Sequence, residues 1–240
     1  MRNDILKNRQ HDPRIRYRGE NASRLDNLTD AVFGIAITLL IFNLANPNSF
    51  ADLLTFTKTL PAFLISISFI VLIWNEHLTF SEIYTLNDTR LTILNTLFIA
   101  LVIFYVYPLR FLTLFLTNFF FDTDIEVNIE GHQVPYLMIY YGFVAFALYF
   151  VLYLFYQRVA KMKTELQFNT FEEFHTKSQK SRLLIMFSVP LLSIILTLVV
   201  NEFSFIWASV VGGVTYFLYT PLIVLWHKKH EKQSKAFDGV

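Results

Sequence analysis

The chain has 240 residues, of which 54% are hydrophobic and 16% are charged, and its formal net charge is +1. Soluble domains carry about 25% charged residues, so this composition favours an integral membrane protein. A net charge this close to neutral gives no general reason to expect nucleic-acid binding. The absence of cysteine excludes a disulfide framework, a thiolate metal site and a cysteine nucleophile.

Residues 1–23 form a polar segment before the first apolar run. Its basic residues are Arg2, Lys7, Arg9, Arg14, Arg16 and Arg18. Because this segment is too polar to bury itself, we expect a basic cytoplasmic tail that is loose or folded as a short surface helix. No small-residue cleavage site follows the first apolar run, so we interpret that run as a retained span and not as a signal peptide.

Six apolar stretches reach the roughly 20 residues that a helix needs to cross a membrane. They are residues 28–45, 53–76, 91–117, 135–157, 183–200 and 203–226. The sequence therefore predicts an all-α, polytopic membrane domain over residues 24–227 and a cytoplasmic tail over residues 228–240. Pro61 is tolerated near the start of the second span, whereas Pro108 predicts a kink in the third, and Pro190 and Pro221 should bend the fifth and sixth.

The distribution of Lys and Arg among the loops predicts that both termini are cytoplasmic. The third loop is acidic and has no Lys or Arg; it carries Asp122, Asp124, Glu126 and Glu130. Residues 158–182 and 228–240 are basic, as the inner side requires. We expect the acidic loop to be a solvated loop, with cation enrichment at a pore mouth as the alternative.

The stretch 161–180 places Phe168, Phe171 and Phe174 at three-residue spacing among charges. This pattern predicts a short interfacial helix, with a cytoplasmic protein contact as the alternative.

Five polar or aromatic residues fall at a similar depth near the inner ends of the first three spans. They are Arg24, Asp30, Trp74, His77 and Asn95. Ionisable groups are costly in a membrane and tend to face a bundle interior or a cavity, so we expect a hydrogen-bonded cluster that ties three helices together. Separate roles stay open: Arg24 as a positive-inside anchor, Asp30 as a first-turn helix charge, and His77 as an interfacial residue.

The first span carries a stripe in which Ile35, Thr38 and Phe42 stand at i, i+3 and i+7, with Leu39 beside them. Asp30 lies roughly 140° around the helix from Ile35. One side of this helix could thus contact its neighbours while another side faces a central axis. Such a stripe is more often plain helix packing than a pore lining, and periodicity alone does not separate the two.

The segment Arg24-Leu-Asp-Asn-Leu28-Thr29-Asp30, followed by Ala-Val-Phe-Gly-Ile-Ala-Ile-Thr-Leu-Leu, resembles a known signature. It is similar to the Arg-x-x-x-Phe-Ser-Asp motif that opens the first helix in prokaryotic relatives of the lysosomal potassium channel TMEM175. Trp74-x-x-His77 and Asn95 look like the partner residues of that family. The sequence departs from the signature at Leu28 and Thr29, where the family has Phe and Ser.

This resemblance implies a homotetramer of six-helix subunits whose first helices line a central pore, without the Thr-Val-Gly-Tyr-Gly filter that this sequence also lacks. It implies a potassium channel with an Ile35 constriction, continued by Leu39 and Phe42, and a Thr38 layer that selects ions. The implied scaffold of the pore helix is Arg24, Leu28, Thr29, Asp30, Trp74, His77 and Asn95. Because neutral hydroxyls hold cations weakly, we expect only modest selectivity for K+ over Na+.

The expected partners are other copies of the chain, K+ and other monovalent cations, and the lipid bilayer of a bacterial inner membrane, with no nucleic acid. We expect no cofactor and no resident metal, since K+ is in transit near Thr38. An enzyme is not expected, because the sequence has no paired-histidine motif and no nucleophile elbow. The main alternative is a small-solute or proton-coupled transporter that uses His77 and Asp30 as relay groups; a structural membrane protein comes third. Nothing in the second half repeats residues 24–30, which argues against an inverted-repeat transporter.

Overall fold

The computed structural model describes residues 12–19, 21–42, 48–85, 88–121 and 129–237. Its helices are α1 (Arg24–Phe42), α2 (Phe50–Lys58), α3 (Leu60–Tyr84), α4 (Thr89–Phe121), α5 (Val134–Lys161), α6 (Thr170–Asn201), α7 (Phe205–Val214) and α8 (Tyr219–Lys235), with 3-10 turns at Gly131–Gln133 and Thr215–Leu218. All regular structure within these ranges is helical, so the predicted all-α class is confirmed. Within the described residues, six helical stretches are long and apolar enough to cross a membrane, which confirms a multi-pass membrane protein with six spans.

Three sequence predictions fall outside the described residues. They concern the basic residues Arg2, Lys7 and Arg9, the end of the first span at residues 43–47, and the acidic residues Asp122, Asp124 and Glu126.

The second span was expected over residues 53–76, and both of those boundaries are wrong. Residues 50–58 form the separate helix α2, whose first turn is capped by Ser49. Pro61 stands in the first turn of α3, and its missing N–H cannot continue the hydrogen-bond ladder of α2. The span therefore starts at Leu60 and continues to Tyr84, so that His77 lies two turns before the end of α3.

The helix that contains the fifth span starts well before the predicted residue 183. Asn169 caps α6: its side chain accepts a hydrogen bond from the Glu172 N–H at 2.8 Å, and the Glu172 carboxylate accepts one from the Asn169 N–H at 2.9 Å. Residues 161–180 are therefore not a separate interfacial helix, and that prediction is wrong. Phe171 and Phe174 belong to the first turns of α6 and contact the Phe237 ring.

The sixth span is divided into α7 and α8 by the 3-10 turn Thr215–Leu218. Pro221 is the third residue of α8, where a backbone N–H has no intrahelical partner and its absence costs little. Pro190 lies inside α6, which continues through it as one helix.

The described part of the N-terminal segment is docked on the bundle. The Arg18 N–H donates to the Ile83 carbonyl at 3.2 Å, and the Arg18 guanidinium donates to the buried Glu172 carboxylate at 2.9 Å. A Cβ atom on Gly19 would overlap the Ser81 carbonyl oxygen, so only glycine allows this close approach. Residues 12–19 thus differ from the predicted loose or helical tail, because Glu172 and the end of α3 supply partners for their polar groups.

The bundle surrounds a core of aromatic rings contributed by several helices. The main neighbours of α1 are α3 and α4; α4 in turn packs on α5, and α5 and α6 run side by side. The Phe98 ring of α4 lies 6.0 Å from Phe33 of α1 and 6.1 Å from Phe155 of α5, between ring centroids. This packing fixes one face of α1 and leaves another face open.

Candidate ion-pathway helix and its polar scaffold

The two faces of α1 differ in burial within the subunit. Thr29, Phe33, Ala36 and Leu40 are buried against the neighbouring helices. The open face carries Leu28, Ile35, Thr38, Leu39 and Phe42. Ile35 is 53% exposed and Phe42 is 70% exposed. All five open-face positions fall within an arc of roughly 100°, at about 100° per residue.

A buried chain of hydrogen bonds ties α1 to α4 and α3. The Asn95 amide donates to the Thr29 hydroxyl oxygen at 2.8 Å, and the Asn95 amide oxygen lies 2.8 Å from His77 Nε2. Thr29 donates in turn to the Leu25 carbonyl. The His77 ring also stacks on Phe98, with centroids 5.2 Å apart. Asn95 has both a donor and an acceptor, which lets it satisfy one partner on each side.

Asp30 makes a separate link between α1 and α3. The Trp74 indole N–H donates to the Asp30 carboxylate at 2.8 Å. Asp30 and His77 therefore bond to different partners and do not form a direct pair.

Asp26 is a scaffold residue that the sequence did not single out. It is buried one turn before Asp30 and accepts a hydrogen bond from the Ser81 hydroxyl of α3. Its other oxygen accepts from the Ser23 N–H at 2.8 Å, which caps the start of α1. The sequence could have indicated this role, because Asp26 lies two residues after Arg24 at the start of a span, where a carboxylate needs hydrogen-bond partners as much as Asp30 does.

The polar end of α3 also connects to α6. The Arg182 guanidinium forms a bidentate pair with the Glu76 carboxylate, one bond of which measures 2.8 Å. At the last residue of α3, the Tyr84 hydroxyl lies 2.8 Å from the Thr176 hydroxyl. Glu76 and His77 diverge, as adjacent helical residues must, and reach α6 and α4 respectively. A single stretch of α3 thus holds α1, α4 and α6.

Two residues expected in the scaffold lie elsewhere. The Arg24 side chain is exposed, and none of the other described residues forms a hydrogen bond or an ion pair with it. Leu28 is 51% exposed and shares the open face with Ile35. Neither is joined to the Thr29, Asn95 and His77 chain.

Thr38 carries the polar side chain among the five residues of the open face. Its hydroxyl donates to the Gly34 carbonyl at 2.8 Å along the helix. This bond uses the only hydroxyl hydrogen and leaves the oxygen lone pairs available to a cation or a water molecule. Gly34 has open space around it, since a Cβ atom there would meet nothing within 4 Å.

The chain is similar in sequence and in fold to known proteins. Residues 24–105, which extend from α1 to about the middle of α4, match the model of the family described as the endosomal/lysosomal potassium channel TMEM175. A protein named "Potassium channel" from Marivirga tractuosa is 36% identical over 231 residues, which cover 93% of each chain.

A crystal structure of a variant of the potassium channel MtTMEM175, in complex with a nanobody–MBP fusion protein, superposes with a TM-score of 0.83. That protein is 34% identical, and the match covers 92% of this chain and 99% of the other. The identity, coverage and shared fold together establish that this chain belongs to the TMEM175 family.

Proposed function

We propose that this chain is the subunit of a potassium channel, and not an enzyme, whose pore is lined by α1. Relatives that match nearly the whole chain are named potassium channels. The observation within the molecule that carries the proposal is the open face of α1. That face is uncovered in the subunit while the opposite face is held by hydrogen bonds to α3 and α4.

Four copies around a common axis would turn the open face of α1 into a pore. Ile35, Leu39 and Phe42 form the constricted, apolar part of this pathway in the proposal. A narrow apolar ring blocks ions by dewetting, because an ion that enters loses its hydration shell without a replacement. A small widening or rotation of α1 would open it.

Thr38 supplies the polar layer next to the Ile35 ring. Four hydroxyl oxygens, each with its hydrogen engaged by Gly34, present lone pairs toward the axis and can replace part of the hydration shell of K+. Neutral oxygens bind cations less firmly than carboxylates or a cage of carbonyls. The channel therefore prefers K+ over Na+ only modestly in this proposal.

The membrane setting follows from charge. The starts of α1 and α4 lie at the same end of the bundle as the end of α3, because Asn95 bonds to Thr29 and to His77. The end of α8 is held there by the contact of Arg14 with the Ser234 carbonyl. This end carries the basic segments 158–182 and 228–237, so it faces the cytoplasm under the positive-inside rule. A bacterial inner membrane is the proposed location.

Recording from purified protein in planar lipid bilayers tests the function. Stepwise unitary currents in symmetric KCl, with a reversal potential that favours K+ modestly over Na+, are the expected result. Saturable flux without unitary steps would instead assign the chain to the transporter class. The described bonds of Asp30 and His77 give no direct proton relay between them, which weakens that alternative.

A further inference from the structure

A second polar feature lies away from the open face of α1, between the start of α4 and the end of α5. A cleft of about 290 Å³ separates these helix ends. Its lining consists of three basic residues, Arg90, Arg158 and Lys161, three apolar residues, Ile93, Leu94 and Leu154, and the neutral polar residue Gln157. The proposed pore does not use any of them.

The cleft carries a net positive charge. The Arg158 guanidinium donates to both oxygens of Asp88, at 2.8 and 3.0 Å. These bonds lower the pKa of Asp88 below its ordinary value, so the carboxylate stays ionised and offsets one of the three positive charges. Arg90 and Lys161 are exposed, and their two charges remain. Arg158 is held in one orientation by the bidentate pair.

The apolar wall of the cleft continues from its basic rim toward the middle of the membrane span. Arg90 and Lys161 stand at the ends of the spans Thr89–Asn118 and Gly131–Lys161. Ile93 follows one turn further into α4 and is 64% exposed, and Leu154 lies two turns further into α5. A basic rim above an apolar wall at the membrane boundary matches the two parts of a phospholipid, an anionic phosphate and its acyl chains.

A nearby basic pocket has the same formal charge but a smaller apolar lining, formed by Ala160 and Phe168. It is lined by Lys163, Lys177 and Lys180 together with Glu173. Lys163 is already paired with Glu173 at 3.2 Å, within the same pocket. The α4–α5 cleft is the better phospholipid site because three aliphatic side chains, Ile93, Leu94 and Leu154, adjoin its basic residues. Two carboxylates act on Arg158: Asp88, which is bonded to it, and Glu165, which attracts it electrostatically.

We infer that the α4–α5 cleft binds an anionic phospholipid. Arg90 and Lys161 neutralise the headgroup phosphate, Arg158 is positioned by Asp88 beside it, and an acyl chain lies along Ile93 and Leu154. Because α4 also holds the pore helix through Asn95, a lipid in this cleft would brace α4 against α5.

Native mass spectrometry of the purified, detergent-solubilised protein tests this site without reference to conduction. Dioleoylphosphatidylglycerol should bind at least about tenfold more tightly than dioleoylphosphatidylcholine, which has the same chains and no net charge. R90Q combined with K161Q should weaken phosphatidylglycerol binding about 30-fold, since the loss of each surface cation lowers the affinity about five- to sixfold and the two losses multiply. The matched control, K228Q combined with K229Q, removes two exposed charges from α8 and should change binding less than about twofold.

A charge-neutral variant guards against a purely structural effect. I93W fills the apolar wall and should also weaken phosphatidylglycerol binding while elution of the protein in size-exclusion chromatography stays normal. Equal binding of both lipids, an equal loss in the K228Q and K229Q control, or binding that survives both R90Q/K161Q and I93W would each overturn the site. Displacement of the lipid by micromolar sn-glycerol 3-phosphate would assign the cleft to a soluble phosphate compound and overturn the lipid proposal.

Discussion

The hydroxyl of Thr38 is the smallest unit on which the proposed selectivity depends. Replacing Thr38 with Ala removes the oxygen and leaves the rest of α1 unchanged. We expect the permeability ratio of K+ to Na+ to fall by a factor of about two to five, which corresponds to roughly 0.4–1 kcal/mol of lost preference. Reversal potentials in mixed KCl and NaCl measure this ratio.

The control for Thr38 is Thr96 of α4, an exposed threonine whose hydroxyl also donates to the carbonyl four residues earlier. Thr96→Ala should leave the permeability ratio unchanged, and Thr38→Ser should preserve most of it because serine keeps the oxygen. A Thr38→Ala channel with wild-type reversal potentials would contradict the assigned role.

Ile35 is expected to set the barrier at the constriction. Ile35→Ala widens an apolar ring and lowers the cost of keeping it wet, so we expect the open-channel current at a fixed voltage to increase severalfold. Ile41→Ala removes the same side-chain atoms from another side of α1 and should leave the current unchanged. Wild-type current in Ile35→Ala would place the barrier elsewhere.

At the scale of the helices, Asn95 joins α4 to α1 and α3. Asn95→Ala leaves buried His77 and Thr29 each short of one partner. We expect a loss of roughly 1–3 kcal/mol, seen as a lower melting temperature of the purified protein. Asn75→Ala on the exposed side of α3 is the control and should melt as wild type does; equal melting of Asn95→Ala would show that this chain of hydrogen bonds contributes little.

Asp30 fixes the register of α1 against α3 through the Trp74 indole. Asp30→Ala should reduce the yield of assembled oligomer severalfold in size-exclusion chromatography, with less effect on selectivity, since Asp30 is well away from the stripe that contains Thr38. Asp30→Asn keeps an acceptor oxygen for Trp74 and should recover most of the yield. A normal yield from Asp30→Ala would remove this carboxylate from the assembly argument.

The sequence predicted the hydrogen bonds of polar residues that interrupt an apolar run, because burying such a group in a membrane without a partner costs free energy. Asp30, His77 and Asn95 stand out because few charges interrupt the first three spans. The start of α6 was missed because its first turns are polar and charged, and the apolar run begins only at Leu183. Because these polar turns were not recognised as part of the helix, the sequence did not predict the ion pair between Glu76 and Arg182. The orientation of Leu28 was also out of reach, since an apolar side chain fits a core and an open face equally well.

At the scale of the whole molecule, the scaffold and the open face of α1 have separate tasks. The hydrogen bonds to α3 and α4 hold one side of α1, and the links from α3 to α6 extend that support to the docked segment at residues 12–19. The side chains of Ile35, Thr38 and Phe42 on the other side of α1 are exposed in a single subunit. Assembly around an axis gives this side its function in the proposed channel.

Block of a Thr38→Cys channel by Cd2+ tests the central claim most directly. The wild-type chain has no cysteine, so one substitution introduces the only thiols in the assembly. Leu72→Cys on α3 is the control, because Leu72 is 58% exposed in the subunit and belongs to a helix that the proposal keeps off the axis. If α1 lines the pore, thiolates around the axis will bind Cd2+ and abolish most of the K+ current, reversibly with EDTA, while Leu72→Cys stays conducting. Full current from Thr38→Cys in Cd2+, or equal block of both variants, would contradict the account.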